Sequence, residues 1–389
     1  MAGNGTHTFA SVAVGDATTV EARRGAEVAW RAELPGTGGP LAVGGPLLLA
    51  TSAVSTGTEV RGEPGGLVVA LDAGTGAPRW RLALGSSEWA VIAAIAATPD
   101  GGSVVGGTFS GTLRAGDKVV SSAGRADGFV ARLTPAGGVA WLERMGGEDA
   151  DAIGGVALRG DRVAIAGTFA GGADLLGFPL PVFDERSPFG DAFVAELDGS
   201  GARVWAQTFG GRLDDAIAGV AIDDAGRVAV AATARATVHV GAQDQSGGID
   251  LTAKGASDGL VAWWSPTGVA GAAVLLGGPD ADGLRGITAV GERIVVAGYF
   301  AGKLELGGRA LTAGGGDDAF VAALAADGTV VAAWQAGGDG REEVTALAAV
   351  PGGFIAGVSH TAAAALDGVT LPAPADSGGG AALVVRGLP

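Results

Sequence analysis

The chain is predicted to be an all-β protein, a β-propeller of four-stranded antiparallel blades. Three observations lead there. A strand start that pairs a small or acidic residue with an apolar triplet recurs five times: Gly66-Leu67-Val68-Val69, Asp127-Gly128-Phe129-Val130, Asp191-Ala192-Phe193-Val194, Asp258-Gly259-Leu260-Val261 and Asp318-Ala319-Phe320-Val321. The spacing, about 60 to 67 residues, marks one supersecondary unit copied along the chain. Composition agrees with it: 48% of the 389 residues are hydrophobic but only 5% are aromatic, and 73 are glycine. Short strands joined by tight turns need that mixture, because glycine reaches positive φ without steric penalty.

The elements follow in order within one copy. Asp191 to Leu197 alternates as a strand, Asp198-Gly199-Ser200-Gly201 is a turn, and Arg203 to Phe209 is the antiparallel partner carrying Trp205. Gly210-Gly211 breaks the run. Ala216 to Ile222 then forms a third strand, Asp223-Asp224-Ala225-Gly226 a turn, and Arg227 to Ala232 a fourth. The same order recurs around Trp80 with Gly85, Trp141 with Gly146-Gly147 and Trp334 with Gly337-Gly338, whereas Ala272 replaces the tryptophan ahead of Gly277-Gly278. A segment such as Gly302 to Leu311 alternates on both sides of Gly307-Gly308 and reads as a small extra hairpin.

Inner strands are expected near Leu41 to Val43, Ile92 to Ala97, Ala152 to Leu158, Ala216 to Ile222, Leu284 to Ala289 and Val344 to Val350. Six blades are therefore favoured, with seven as the alternative. The whole of 1–389 is expected to form a single propeller domain, with blade-like repeats near 67–108, 128–168, 192–233, 259–300 and 319–358. A closing blade is expected to be shared between the termini, from 16–52 and 343–387. Asp16 to Ala22 and Ala382 to Arg386 compete for one position in it, and the surplus strand offers an edge for a homodimer.

Charge narrows the partners. At net −16 and with no cluster of Lys and Arg, the chain lacks the cationic footprint a nucleic-acid binder needs. The longest apolar stretch, Ala90 to Ala97, is far short of a membrane-spanning helix, so membrane insertion is not expected. Absence of cysteine excludes disulfides and thiol chemistry. Met1 to Thr6 lacks the basic start and apolar core of a secretory signal, which leaves a cytoplasmic location open.

The pattern Asp-x-Phe-Val-Ala-x-Leu, a Gly turn, a Trp, Gly-Gly, an Asp and a Val-Ala strand resembles the bacterial β-propeller repeat family, often described as a seven-bladed propeller repeat. The likeness covers nearly the whole chain. It implies a secreted or cell-surface bacterial protein, extracellular or in the cell envelope.

Candidate site residues fall in columns. Asp151, Asp215, Asp282 and Glu342 each follow the second glycine of Gly-Gly by four residues, at the start of an inner strand. They read either as acceptors for turn amides or as oxygen ligands at a channel mouth, where Ca²⁺ is the conceivable cofactor; otherwise none is expected. Asp127, Asp191, Asp258 and Asp318 read as turn holders between neighbouring blades, and the tryptophans as packing at the rim. The longest irregular segment, Gly171 to Gly190, offers Phe178, Phe183, Asp184 and Arg186 as a binding surface. Gly255-Ala256-Ser257-Asp258-Gly259 spells a nucleophile elbow but enters a propeller strand rather than a strand-to-helix turn. His7, His239 and His360 lack the spacing of a metal pair.

With no convergent catalytic set, the expectation is a non-catalytic interaction or scaffold module with a protein or glycan partner, and not an enzyme. A lectin-like propeller is the first alternative. A hydrolase or lyase using the channel-mouth carboxylates is the second.

Overall fold

The computed structural model describes residues 2–3, 7–14, 17–25, 27–54, 64–182, 190–211, 216–241, 248–366, 369–371, 373–374 and 380–388. Every regular element among them is a β-strand. The chain divides into two compact units, Met1–Val182 with Phe193–Ala206, and Phe183–Ala192 with Gln207–Pro389.

In the first unit, sheet one is the meander Ala2–Gly3, Thr8–Val14, Ala17–Arg24 and Glu27–Pro35. Sheet two runs Thr37–Gly44, Leu47–Val54, Gly65–Asp72 and Pro78–Ser86, and sheet three Trp89–Ala97, Ser103–Ser110, Asp127–Leu133 and Val139–Gly146. Sheet four orders Ala152–Arg159, Arg162–Phe169, Asp191–Leu197 and Arg203–Gly211. In the second unit, sheet five is Ala216–Ile222, Val228–Ala234, Asp258–Trp264 and Ala270–Leu276. Sheet six is Gly283–Val290, Arg293–Phe300, Asp318–Leu324 and Val330–Gly338; sheet seven is Glu342–Val350, Gly353–His360 and Gly380–Gly387. The protein is thus an all-β propeller of seven antiparallel blades.

Seven replaces the favoured count of six. All six expected inner strands are present, and each opens a sheet, but the seventh is only Ala2–Gly3, too short to carry a period. The shared closing blade is also corrected. Ala17–Arg24 pairs with Glu27–Pro35 in sheet one, and Gly380–Gly387 pairs with Gly353–His360 in sheet seven, so the two strands expected to compete occupy different sheets.

Sheets are also cut half a period out of frame with the repeat as read from the sequence. A tryptophan strand does not pair with the strand that follows its Gly-Gly: Ala216–Ile222 starts sheet five and pairs with Val228–Ala234. Strand three is flanked on both sides in sheets one to six, and Asp127–Leu133, Asp258–Trp264 and Asp318–Leu324 are buried along almost their whole length.

Extra hairpins cross between sheets. Thr112–Ala115 with Lys118–Ser121 leaves sheet three after Ser110 and adds to Pro78–Ser86 of sheet two. Thr237–Val240 with Ile249–Thr252 adds in the same way to Phe209–Gly211, and Ala364–Leu366 to Ala336–Gly338. In sheet three this place is taken by Asp174–Leu175, part of the long irregular segment, which pairs with Met145 and Gly146.

The Gly-Gly pair follows from these contacts. A Cβ at the first glycine would lie 2.6 Å from Asp151 Oδ2 at Gly146, 2.4 Å from Asp258 Oδ1 at Gly277 and 1.7 Å from Asp318 Oδ2 at Gly337. At the second it would strike the backbone of the added segment, 2.1 Å from the Thr237 oxygen at Gly211 and 2.2 Å from the Ala363 oxygen at Gly338.

Within each unit, apolar layers fill the space between successive sheets. The phenylalanine of the strand-three repeat meets another from the end of strand two, edge on, in Phe109–Phe129, Phe169–Phe193 and Phe300–Phe320. Tryptophans tie one sheet to the turn of the next: Trp30, Trp80 and Trp141 donate their indole N–H to the carbonyls of Ala73, Pro135 and Gly199. The rings lie against Gly76, Gly137 and Gly201, where φ is 75°, 83° and 88°. Burying a tryptophan while satisfying its N–H makes it a clasp between blades.

Candidate functional site

The acidic columns lie inside the sheets. Asp151, Asp282 and Glu342 are buried, whereas Asp215 lies outside the described residues. Asp151 accepts hydrogen bonds from the Gly147 and Ala170 amides at 2.7 and 3.1 Å, and Asp282 from the Gly278 and Ala301 amides at 2.5 and 3.1 Å. Each thereby joins the end of the preceding outer strand to the point where the chain leaves strand two.

Glu342 is one methylene longer and does not reproduce this. Neither of its side-chain oxygens has a hydrogen bond of normal geometry, although the Gly338 amide is near enough to favour the anion. Burial pushes the Asp151 carboxyl up to about 6; the two amides oppose the rise and the neighbouring Asp127 and Asp149 add to it. Burial also raises Asp282 and Glu342, with Asp258 and Asp318 respectively adding like-charge repulsion.

The partner column holds the preceding turn. Asp127 Oδ2 accepts from the Ala123 amide and pairs with Arg144; Asp258 Oδ2 accepts from the Lys254 amide at 3.0 Å. Asp318 accepts from the Gly314 amide at 3.3 Å and from Gln335 at 2.7 Å. These carboxylates are buried and hold turns.

Within the long segment, Phe178 is half-buried against the core, and the Arg203 guanidinium sits 4.7 Å from its ring centroid. Phe183, Asp184 and Arg186 lie outside the described residues. The elbow-like Ser257 is buried and donates to the Asp282 carbonyl, a structural bond.

A different cluster lies where the copies differ. Every long first strand carries a β-bulge near its start, and the bulged positions are Gly154, Ala218, Arg285 and Thr345 in sheets four to seven. A bulge re-aims one side chain out of the ladder. Three of the four carry little there; sheet six carries a cation.

Arg285 Nε is 3.2 Å from Glu343 Oε1, and its guanidinium lies 4.8 Å from the ring centroid of Tyr299, the single tyrosine of the chain. The arginine and glutamate side chains remain 46% and 35% exposed, so the pair is open to a ligand. Gly283, paired with Tyr299, leaves room for the phenol: a Cβ there would lie 2.8 Å from the tyrosine hydroxyl and 2.9 Å from Thr233 Oγ1. Cation, phenol, carboxylate and hydroxyl converge from sheets five, six and seven within the second unit. Column reasoning misses this cluster because each residue occurs once. The available signals were Arg285 interrupting an apolar strand and the isolated tyrosine.

No family model and no curated protein matches the chain. Solved structures similar in fold include a europium-containing methanol dehydrogenase, at 10% identity and TM-score 0.40 over 91% of this chain and 81% of that one. A quinohemoprotein alcohol dehydrogenase from Comamonas testosteroni matches at 10% identity and TM-score 0.41 over 96% and 77%, and an ulvan lyase at 10% identity and TM-score 0.48 over 97% and 91%. At these identities the likeness shows the fold alone. All three are named as enzymes, contrary to the expectation of a non-catalytic module that is not an enzyme, and that expectation is not carried further.

Proposed function

We propose that the second unit carries an acid–base active site for an anionic glycan, built on Arg285, Tyr299 and Glu343. The observation that carries this reading is the bulge that delivers an arginine over the only tyrosine, in a strand position where the other copies are small or neutral. Arg285 neutralises a substrate carboxylate and stabilises charge that develops next to it. Tyr299 takes the proton from the carbon adjacent to that carboxylate and returns it to the oxygen that departs from the next carbon as the carbon–carbon double bond forms, and Glu343 holds the guanidinium in place. The acids adjoining the cluster in sequence, Asp282 and Glu342, are buried. A cation–phenol mechanism of eliminative cleavage therefore fits better than hydrolysis by two facing carboxylates.

The bacterial propeller-repeat family and an extracellular or cell-envelope location belong to the same reading, supported by the repeat pattern, and a glycan is the partner such a location supplies. The test is a panel of uronate-containing polysaccharides and their carboxyl-reduced forms. Cleavage is expected only of the carboxylated forms. Tyr299→Phe and Arg285→Gln are each expected to lower kcat/KM by roughly 100-fold or more at unchanged melting temperature. Undiminished turnover in both variants would overturn the assignment.

A further inference from the structure

The third strand of six sheets is covered by a fourth: Gly65–Asp72 by Pro78–Ser86, Asp127–Leu133 by Val139–Gly146, Asp318–Leu324 by Val330–Gly338, and so through the chain. In sheet seven, among the described residues, Gly380–Gly387 pairs only with Gly353–His360 and its other side is an open edge. Val385 is 54% exposed, and the outward Val385 carbonyl is met only by the guanidinium of the adjacent Arg386, at 3.3 Å. Beside it lies an apolar cleft lined by Phe320, Trp334, Phe354, Val384 and Arg386. Trp334 meets Phe354 edge-on, with ring centroids 5.1 Å apart, but has no turn carbonyl for its indole N–H, unlike Trp30, Trp80 and Trp141.

The outer edges of sheets one, two and six are blunted in ways this one is not. Hairpins cover the ends of Pro78–Ser86 and Val330–Gly338, and Glu27–Pro35 sets Glu27, Arg31 and Glu33 in solvent. Gly380–Gly387 reads Gly-Ala-Ala-Leu-Val-Val-Arg-Gly, with one charge. An uncovered, nearly uncharged strand is a template for another strand.

We infer that this edge is an interface with a second copy of the chain, Gly380–Gly387 pairing antiparallel with its counterpart about a two-fold axis. Antiparallel pairing lets a strand be complementary to itself. Centred on Val384, it sets Arg386 of each copy opposite Ala382 of the other, so the only charges do not meet. The added strand covers the cleft beside Trp334 and joins two sheets into one.

Sedimentation equilibrium of the full chain across a hundredfold range of concentration tests this, together with hydrogen exchange of 380–387. A monomer–dimer equilibrium is expected, with exchange in that strand slowing as dimer forms. Val385→Lys, at an exposed position, is expected to leave melting of the monomer unchanged and raise the dimer dissociation constant at least tenfold. A wild-type chain that stays monomeric throughout overturns the inference, as does a Val385→Lys chain that dimerises equally well. A dimer whose 380–387 amides exchange at the monomer rate places the interface elsewhere and overturns it too.

Discussion

Asp151 and Arg285 both stand near the start of a first strand, yet the surroundings assign them opposite work. Asp151 recurs as Asp282, is closed in by two amides and ties a turn to a hairpin. Arg285 occupies a bulge whose equivalents are Gly154, Ala218 and Thr345, and it keeps nearly half of its side chain in solvent. Repetition in this fold therefore marks what each blade needs in order to stand beside the next. Chemistry is left to the positions the ladder does not use.

The comparison can be broken most sharply at glycines. Gly337→Ala places a methyl 1.7 Å from Asp318 Oδ2 and is expected to cost more than about 3 kcal/mol of stability in urea unfolding. Gly286→Ala, beside the bulge, meets nothing closer than Leu347 Cβ at 3.4 Å and is expected to stay within about 0.5 kcal/mol of the parent. Equal losses would show that repeated and unrepeated positions are constrained alike.

A pH series sharpens the same contrast. The folded chain binds the Asp151 proton more tightly than the unfolded chain does, with a carboxyl raised from 3.8 to about 6. Its contribution is fully present below the unfolded value and is lost as pH rises through the folded one, by up to about 3 kcal/mol. Raised values at Asp282, Asp318 and Glu342 act in the same direction. Unfolding free energy from urea titrations is expected to fall from pH 4 to pH 7, and Asp151→Asn to flatten that slope. The variant should nonetheless be less stable at pH 4, because a single amide oxygen faces two donors, Gly147 and Ala170.

A smaller gain is expected at a repeat position where one copy deviates. Gly111, Gly171 and Gly302 turn the chain from strand two into its crossing segment with φ of 80°, 60° and 59°, and Ala236 takes the same place with φ of 56°. Ala236→Gly is expected to raise stability by about 1 kcal/mol, read as an upward shift of the melting temperature. A lower melting temperature would mean that the alanine methyl contributes packing that outweighs its backbone strain.

How much could be read in advance follows from the same division. Alternation and Gly-Gly located the strands, because each column is imposed by a contact present in several blades. Blade count escaped by one, since Ala2–Gly3 is too short for any period. The half-period offset escaped because adjacency of Trp205 and Ala216 in sequence implies pairing, whereas the chain leaves one sheet and starts another between them. The Arg285 cluster was illegible because Thr233 and Glu343 come from other copies than Arg285 and Tyr299, and proximity among single occurrences has no period.

The crossing hairpins carry a consequence for how such a chain changes length. Ser110 ends in one sheet and Thr112 begins in another, so the single residue Gly111 joins two blades. Excising the segment that forms one sheet would strand a hairpin on its neighbour and leave a partner strand uncovered. Duplicating or deleting one whole sequence period instead removes or supplies two half-sheets that complete the sheets on either side. A gene encoding this fold can therefore gain or lose a blade in one step by whole periods, because each period carries both a sheet's strands and the segment that crosses to its neighbour.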